Sequence, residues 1–287
     1  MSECVTGHTG LLCLLGSPVA HSISPEMHNE AFRLLGLDYE YLAFDVAPER
    51  LEAAVNGLRA LGVVGFNVTM PLKNQIPEYL DGLSAAAKIG GSVNTVVNDQ
   101  GKLIGHTTDG IGFVKSAEAV GFHIGEKNVV QLGAGGAGIA IMIQMAIDGA
   151  ASIDVFNQKD SFWPRTEAIV ERLNQTTDCT VSLHELSNEE QLRLSIQQAD
   201  LLLNTTPVGM EGIGGSPIPD SSYFHDGLVV ADIIYHPDET PLLKMAREAG
   251  LFTFNGKYML LYQGAASFRL WTGQDMPVEK IKEKYFH

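Results

Sequence analysis

The chain has 287 residues, a formal charge of −15 and 45% apolar side chains, the proportions of an ordinary globular protein with material for two domains or one large one. So strong an acidic excess argues against nucleic acid as a partner, because phosphate binding needs clustered Lys and Arg. Any anionic substrate must be met by a local, well-placed site against that general field.

The first apolar run, Leu11 to Leu15, is far too short to span a bilayer. No basic stretch precedes it, so it reads as a buried strand rather than a signal peptide or membrane anchor. Cys4, Cys13 and Cys179 show no CxxC or Cys/His spacing, which leaves no metal expected. An odd, unspaced set fits free thiols in a reducing cytosol, so the expected localisation is cytoplasmic.

Short β-branched or apolar runs then alternate with segments of helical period. Strands are expected at Leu11–Gly16, Glu40–Phe44, Val63–Val68, Val93–Val97 and Leu103–His106. A second series covers Asn128–Leu132, Ser152–Phe156, Thr180–Leu183, Asp200–Asn204, Leu228–Asp232 and Phe252–Phe254. Ser24-Pro25 opens a helix that Gly36 closes, and Pro48 opens another that Gly62 ends. Asp99-Gln100-Gly101 is turn-like and makes one hairpin in an otherwise βα order. This pattern predicts an α/β fold with one or two largely parallel sheets. The chain divides near Thr108, where a new βαβ series begins, and after Asn255 only helical patterns remain. Such a tail commonly packs back on the first domain.

Three polar segments of the first half carry more functional groups than a core needs. In His21-Ser22-Ile23-Ser24-Pro25, two hydroxyls one residue apart could face a carboxylate from a helix N-terminus. Capping alone would account for Ser24 but not for Ser22. Asn67-Val68-Thr69-Met70-Pro71-Leu72-Lys73 ends a strand, where open α/β sheets place ligands. Lys73 taken alone could be an ordinary surface lysine. Asn94 lies in or beside a strand, an odd place for an amide without a partner, and Asp109 falls at a strand-to-helix junction, where an N-cap would also explain it. His28 and His106 have no metal-spaced partners.

Gly133, Gly135 and Gly138 match G-x-G-x-x-G after the strand ending at Leu132 and before the apolar helix Ile139–Ile147. The first glycine allows the turn, the second lets a pyrophosphate approach, and the third lets helix pack on strand. The helix N-terminus supplies N–H groups and partial positive charge to phosphates. About 20 residues on, where an acidic group takes the ribose hydroxyls, stand Asn157-Gln158-Lys159-Asp160. Asp160 would repel a 2′-phosphate and Lys159 could attract one; the balance favours NAD over NADP. Asp154, inside the strand, reads as structural.

Taken together the strings are no longer generic. His21-Ser-Ile-Ser-Pro25, Asn67-Val-Thr-Met-Pro-Leu-Lys73, Gly91-Ser-Val-Asn-Thr95, Thr108-Asp-Gly110, Gly133-Ala-Gly-Gly-Ala137, Asn204-Thr-Thr-Pro-Val-Gly-Met210, Asp232-Ile-Ile-Tyr235 and Gly256-Lys-Tyr-Met-Leu-Leu-Tyr-Gln-Gly264 follow the order found in shikimate dehydrogenases. The chain resembles that family from Leu11 to Gly273, and within it most resembles the quinate/shikimate dehydrogenase branch, whose Asn-Arg-Arg/Lys-Asp segment is similar to Asn157–Asp160. Gln158 replaces the arginine expected there, and Leu72 the aromatic or histidine often found before the lysine.

The resemblance implies an N-terminal α/β substrate domain with a mostly parallel sheet, residues 1–108 and 256–287, and a Rossmann-type dinucleotide-binding domain, residues 109–255. It implies an NAD(P)-dependent dehydrogenase acting at C3 of shikimate and in some measure quinate, with shikimate ahead because both Ser22 and Ser24 are kept. Lys73 and Asp109 become the catalytic pair. Ser22 and Ser24 take the substrate carboxylate, Asn67, Thr69, Asn94 and Gln263 the ring hydroxyls, and Tyr235 lies near ring and nicotinamide. Gly133, Ala134, Gly135, Gly136, Ala137, Asn157, Gln158, Lys159, Asp160 and Gly256 form the cofactor set. The partner is a small molecule, with a homodimer possible. A dehydrogenase of a related cyclic acid such as an aminoshikimate, or a non-catalytic NAD-binding sensor of the same fold, are the alternatives.

Overall fold

In the computed structural model, which describes residues 5–286, the first apolar run forms β1, Gly10–Gly16. Leu12, Cys13, Leu14 and Leu15 are all buried, as a strand covered on both faces requires. From it α1, Ser24–Leu35, leads to β2, Tyr39–Asp45. Met27, Ala31 and Phe32 supply the buried stripe of α1, and Gly36 closes it in the left-handed conformation at φ 66°. A short turn at Pro48–Arg50 precedes α2, Leu51–Ala60, which buries Leu51, Val55 and Leu58 and leads to β3, Gly65–Val68. β1 lies between β2 and β3, parallel to both.

The order then changes. β4, Gly82–Leu83, and α3, Ala85–Gly90, precede the hairpin of β5, Thr95–Asp99, and β6, Lys102–His106. β5 is antiparallel to β3 and β6, while β4 runs parallel to β6. The six-stranded order is β2-β1-β3-β5-β6-β4. β4 escapes sequence reading because two residues show no period. The strand expected from Val93 begins instead at Thr95 and runs to Asp99, paired to β6 throughout.

After α4, Asp109–Ala119, the second series reads β7, Asn128–Leu132, α5, Gly136–Ile147, and β8, Ser152–Asn157. It continues through α6, Trp163–Thr176, β9, Thr180–Glu185, α7, Glu189–Ile196, and β10, Leu201–Asn204. It ends with β11, Val229–Asp232, α8, Pro241–Glu248, and β12, Phe252–Phe254. All its strand pairs are parallel, in the order β12-β11-β10-β7-β8-β9. Counted from β7 this is 6-5-4-1-2-3, the doubly wound order whose switch point, between first and fourth strands, receives dinucleotides. Here that point lies between β7 and β10.

Two helices finish the chain: α9, Lys257–Thr272, and α10, Val278–Tyr285. The backbone divides into two compact units, one running to Thr108 and resuming at Leu261, the other Asp109–Leu260. Within the first unit, Trp271 Nε1 donates to the Val96 carbonyl at 3.0 Å and Phe268 stacks on Phe32 at 5.2 Å. Among the described residues no helix is long and apolar enough to cross a membrane. Cys13 and Cys179 are buried free thiols, pushed up to about 12 and about 11 by burial; Cys4 lies outside the described residues.

Candidate active site

Sheet register aligns the polar residues of the first unit. Leu14 pairs with Asn67, Asn67 with Thr95, and Thr95 with His106. Because β5 is antiparallel to β3 and β6, its beginning lies beside their C-terminal ends. The loops after β1, β3 and β6 and the residue before β5 therefore lie at the same end of the sheet's central strands. Backbone bonds tie them: Thr69 N–H donates to Leu15 O at 2.8 Å, Val68 N–H to Asn94 O at 2.8 Å, and Val93 N–H to Lys73 O at 2.9 Å.

Asn67 and Asn94 are buried and belong to one network. The Asn67 amide donates to Asn94 O and Thr95 Oγ1 at 3.0 Å and to Ser267 Oγ at 3.2 Å, while its oxygen accepts from Tyr41 at 2.7 Å. Asn94 Oδ1 accepts the Thr108 N–H at 2.8 Å, and its amide donates to Thr108 Oγ1 at 2.9 Å and, at the long limit of 3.5 Å, to Gln263 Oε1. The unexpected position of Asn94 is thereby explained: its side chain completes the backbone bonding of Thr108. Gln263 is brought in from α9 through the same contact.

Ser22 and Ser24 reverse the roles that capping logic assigns. The position before α1 is Ile23, and no side chain caps the helix there. Ser24 is instead buried, and Ser22 Oγ accepts its N–H at 3.2 Å. Ser22, which the sequence leaves without a structural role, thus shapes the loop that leads into the helix. Thr69 and Lys73 share one turn, closed by the Leu72 N–H to Thr69 O bond at 3.0 Å. Both are half-buried.

In the second unit the glycine turn carries three distinct constraints. Gly133 has φ +94°, a region that side chains rarely adopt. A Cβ at Gly135 would meet nothing within 4 Å, whereas one at Gly138 would lie 2.5 Å from Thr205 Oγ1 and 3.0 Å from Gly133 O. Close packing thus fixes the third glycine, and open space at the second fits the approach of a pyrophosphate. No side chain caps α5 at Gly135, so its amino end suits phosphate binding with Gly136 and Ala137 in its first turn. These residues fit a dinucleotide.

The turn is fastened to the end of β8. Gly133 N–H donates to Phe156 O at 2.8 Å, and Ala134 N–H to Asn157 Oδ1 at 3.2 Å. Beyond Asn157, exposed Gln158 leads to Lys159, whose ammonium pairs with Glu185 at 2.5 Å and lies 5.5 Å from the centre of the Trp163 ring. Asp160 Oδ1 accepts the Phe162 N–H at 2.8 Å, shaping the entry to α6. Asp154 holds His184 at 3.3 Å and Ser195 at 2.7 Å, a structural role.

Asp109 is the first residue of α4. Tyr235 follows β11, 42% exposed, its ring 4.8 Å from that of His236. A Cβ at Gly256 would sit 1.9 Å from Ile233 O, so backbone packing alone requires glycine there. Sequence reasoning passed over Tyr41, Thr95, Thr108 and Ser267, whose hydroxyls join the buried network. Ser267 could have been noticed as the polar member of a buried stripe with Leu261, Gly264, Phe268 and Trp271. It also passed over the role of Asp232, which accepts from Asn204 at 3.0 Å, Thr240 at 2.8 Å and the Ile234 N–H at 2.9 Å. Burial raises this carboxyl to about 6 against those stabilising bonds. Among the described residues no group of three or more His, Cys, Asp or Glu could hold a metal.

Residues 14–96 match the family model described as the shikimate dehydrogenase substrate binding domain, and 258–284 the shikimate 5′-dehydrogenase C-terminal domain. A shikimate dehydrogenase (NADP(+)) of Listeria monocytogenes is 46% identical over 287 residues, covering 100% of this chain and 99% of its own. One of Streptococcus uberis is 47% identical over 291 residues, with 100% and 99% covered. The crystal structure of shikimate 5-dehydrogenase from Listeria monocytogenes in complex with shikimate and NAD superposes with a TM-score of 0.95 at 46% identity, covering 99% of this chain and 98% of that one. Alignment at this identity along the whole length establishes that the chain belongs to the shikimate dehydrogenase family, the NAD(P)-dependent oxidoreductases that act on a CH–OH group.

Proposed function

We propose that the chain interconverts shikimate and its 3-keto form, with NAD preferred to NADP, the first unit binding the substrate and the second the dinucleotide. The observation that carries this reading is the meeting of Asn67, Thr69, Lys73 and Asn94 at the joined strand ends of the first unit. Ser22 and Ser24 hold the carboxylate. Asn67, Thr69, Asn94 and Gln263 hold the ring hydroxyls, and Tyr235 of the second unit belongs to the same proposed set.

When bound, the nicotinamide supplies the hydride exchange. In oxidation Lys73 Nζ, as the neutral amine, takes the C3 hydroxyl proton and becomes the ammonium while the C3 hydride passes to the nicotinamide; in reduction the ammonium returns that proton as negative charge develops on the oxygen. Asp109, the first residue of α4, is the carboxylate of the proposed catalytic pair. Proton transfer by a positioned group is worth about 10²–10⁴-fold in rate.

The relatives named above are called NADP(+) enzymes, so the preference for NAD rests on this chain's own residues. It is supported by the acidic Asp160 beyond β8 and by the engagement of the nearby Lys159 with Glu185. Replacing Lys73 by Ala is expected to lower shikimate turnover about 10²–10⁴-fold while leaving NAD affinity, measured by titration calorimetry, essentially unchanged. Near-normal turnover in that variant would refute the assignment.

A further inference from the structure

Glu185 belongs to none of the segments that carry the family resemblance, yet sheet register brings it to the cofactor loop. It is the last residue of β9, paired in register with Asn157, the last residue of β8. Register neighbours in parallel strands project to the same face of a sheet. The Asn157 side chain on that face accepts the Ala134 N–H at 3.2 Å. Glu185 therefore rises on the face that meets the glycine turn. Its backbone position is held from both sides: Leu186 N–H donates to Asn157 O at 2.9 Å, and His184 stacks on Phe156 at 4.9 Å.

From there the carboxylate takes the Lys159 ammonium at 2.5 Å, with the Trp163 ring on the cation at 5.5 Å. Lys159 is the basic residue of the segment where a dinucleotide fold reads its ribose, and a 2′-phosphate needs a cation there. We propose that Glu185 is a positioning residue for cofactor choice: by engaging Lys159 it withdraws the cation that would receive a 2′-phosphate and so favours NAD. The inference rests on the dinucleotide-binding reading of the second unit. It adds a determinant on a neighbouring strand, 26 residues from the lysine, to the segment already assigned.

The effect is moderate, because both partners are well exposed, at 61% and 45%. An exposed ion pair of this kind changes an equilibrium by at most about fivefold. The test uses the intact protein and no shikimate. Calorimetry compares adenosine 2′,5′-bisphosphate with 5′-AMP, which lacks only the 2′-phosphate, for wild type, Glu185→Gln, Lys159→Ala and the double variant.

Glu185→Gln is expected to tighten the bisphosphate by about three- to fivefold and leave 5′-AMP unchanged. Added salt should shrink that gain, and it should vanish in the Lys159→Ala background. No tightening, or equal changes for both nucleotides, overturns the proposal. An undiminished gain without Lys159 also overturns it, since Glu185 would then act by direct repulsion. Wild type that binds neither nucleotide removes the dinucleotide reading itself, and the proposal with it.

Discussion

His28 sits fully buried among Tyr41, Phe32, Phe268 and Trp271, its ring 4.6 Å from that of Tyr41. Neither ring nitrogen has a hydrogen-bond partner among the described residues. Burial accordingly lowers its pKa from the usual 6.5 to about 3. The unfolded chain binds the proton more readily over that interval, so stability present above pH 6.5 is lost as pH falls toward 3. The full difference is of order 5 kcal/mol. His28→Phe preserves the ring packing without the proton, and its urea midpoint is expected to fall less steeply between pH 6.5 and 4 than that of wild type. Parallel curves would show that His28 is not the titrating group. The sequence showed this histidine to lack metal-spaced partners. Its aromatic enclosure was not legible, because three of the four rings come from other elements and two of them from α9.

At the scale of elements, the glycine turn was the most legible feature, since each glycine answers a local constraint. Gly138→Ala brings a Cβ to 2.5 Å from Thr205 Oγ1, a hydroxyl that already donates to Leu132 O and Gly133 O at 2.9 Å. Neither the hydroxyl nor the backbone can retreat without losing bonds. The variant is expected to lose about 1–3 kcal/mol of stability, read as a lower urea midpoint, and to bind NAD more weakly. Unchanged values in both assays would mean that the third glycine is not set by packing. The buried network of the first unit was less legible. Its candidate asparagines could be singled out one at a time as polar groups in apolar surroundings. Their partners are assigned by strand order, and Asn67 meets Ser267 from 200 residues away, a distance that no local period encodes. β4 and the late start of β5 were missed for the converse reason: short strands are defined by pairing rather than by pattern.

Across the whole molecule, a chain of charge −15 acting on an anionic substrate must rely on local groups rather than its field. In the proposed function, the hydroxyls and amides at joined strand ends, with Lys73 beside them, are the groups assigned to that task in the first unit. The doubly wound sheet of the second places its glycine turn beside the β7–β10 switch point. The family strings point to these places because they cluster at strand ends, whereas the Lys159–Glu185 pair depends on the adjacency of β8 and β9. The central claim is tested most directly by steady-state kinetics with shikimate and quinate, each against NAD and NADP. Shikimate is expected to be oxidised with kcat/KM higher for NAD than for NADP, and quinate more slowly. Folded protein that turns over no shikimate with either cofactor would contradict the account.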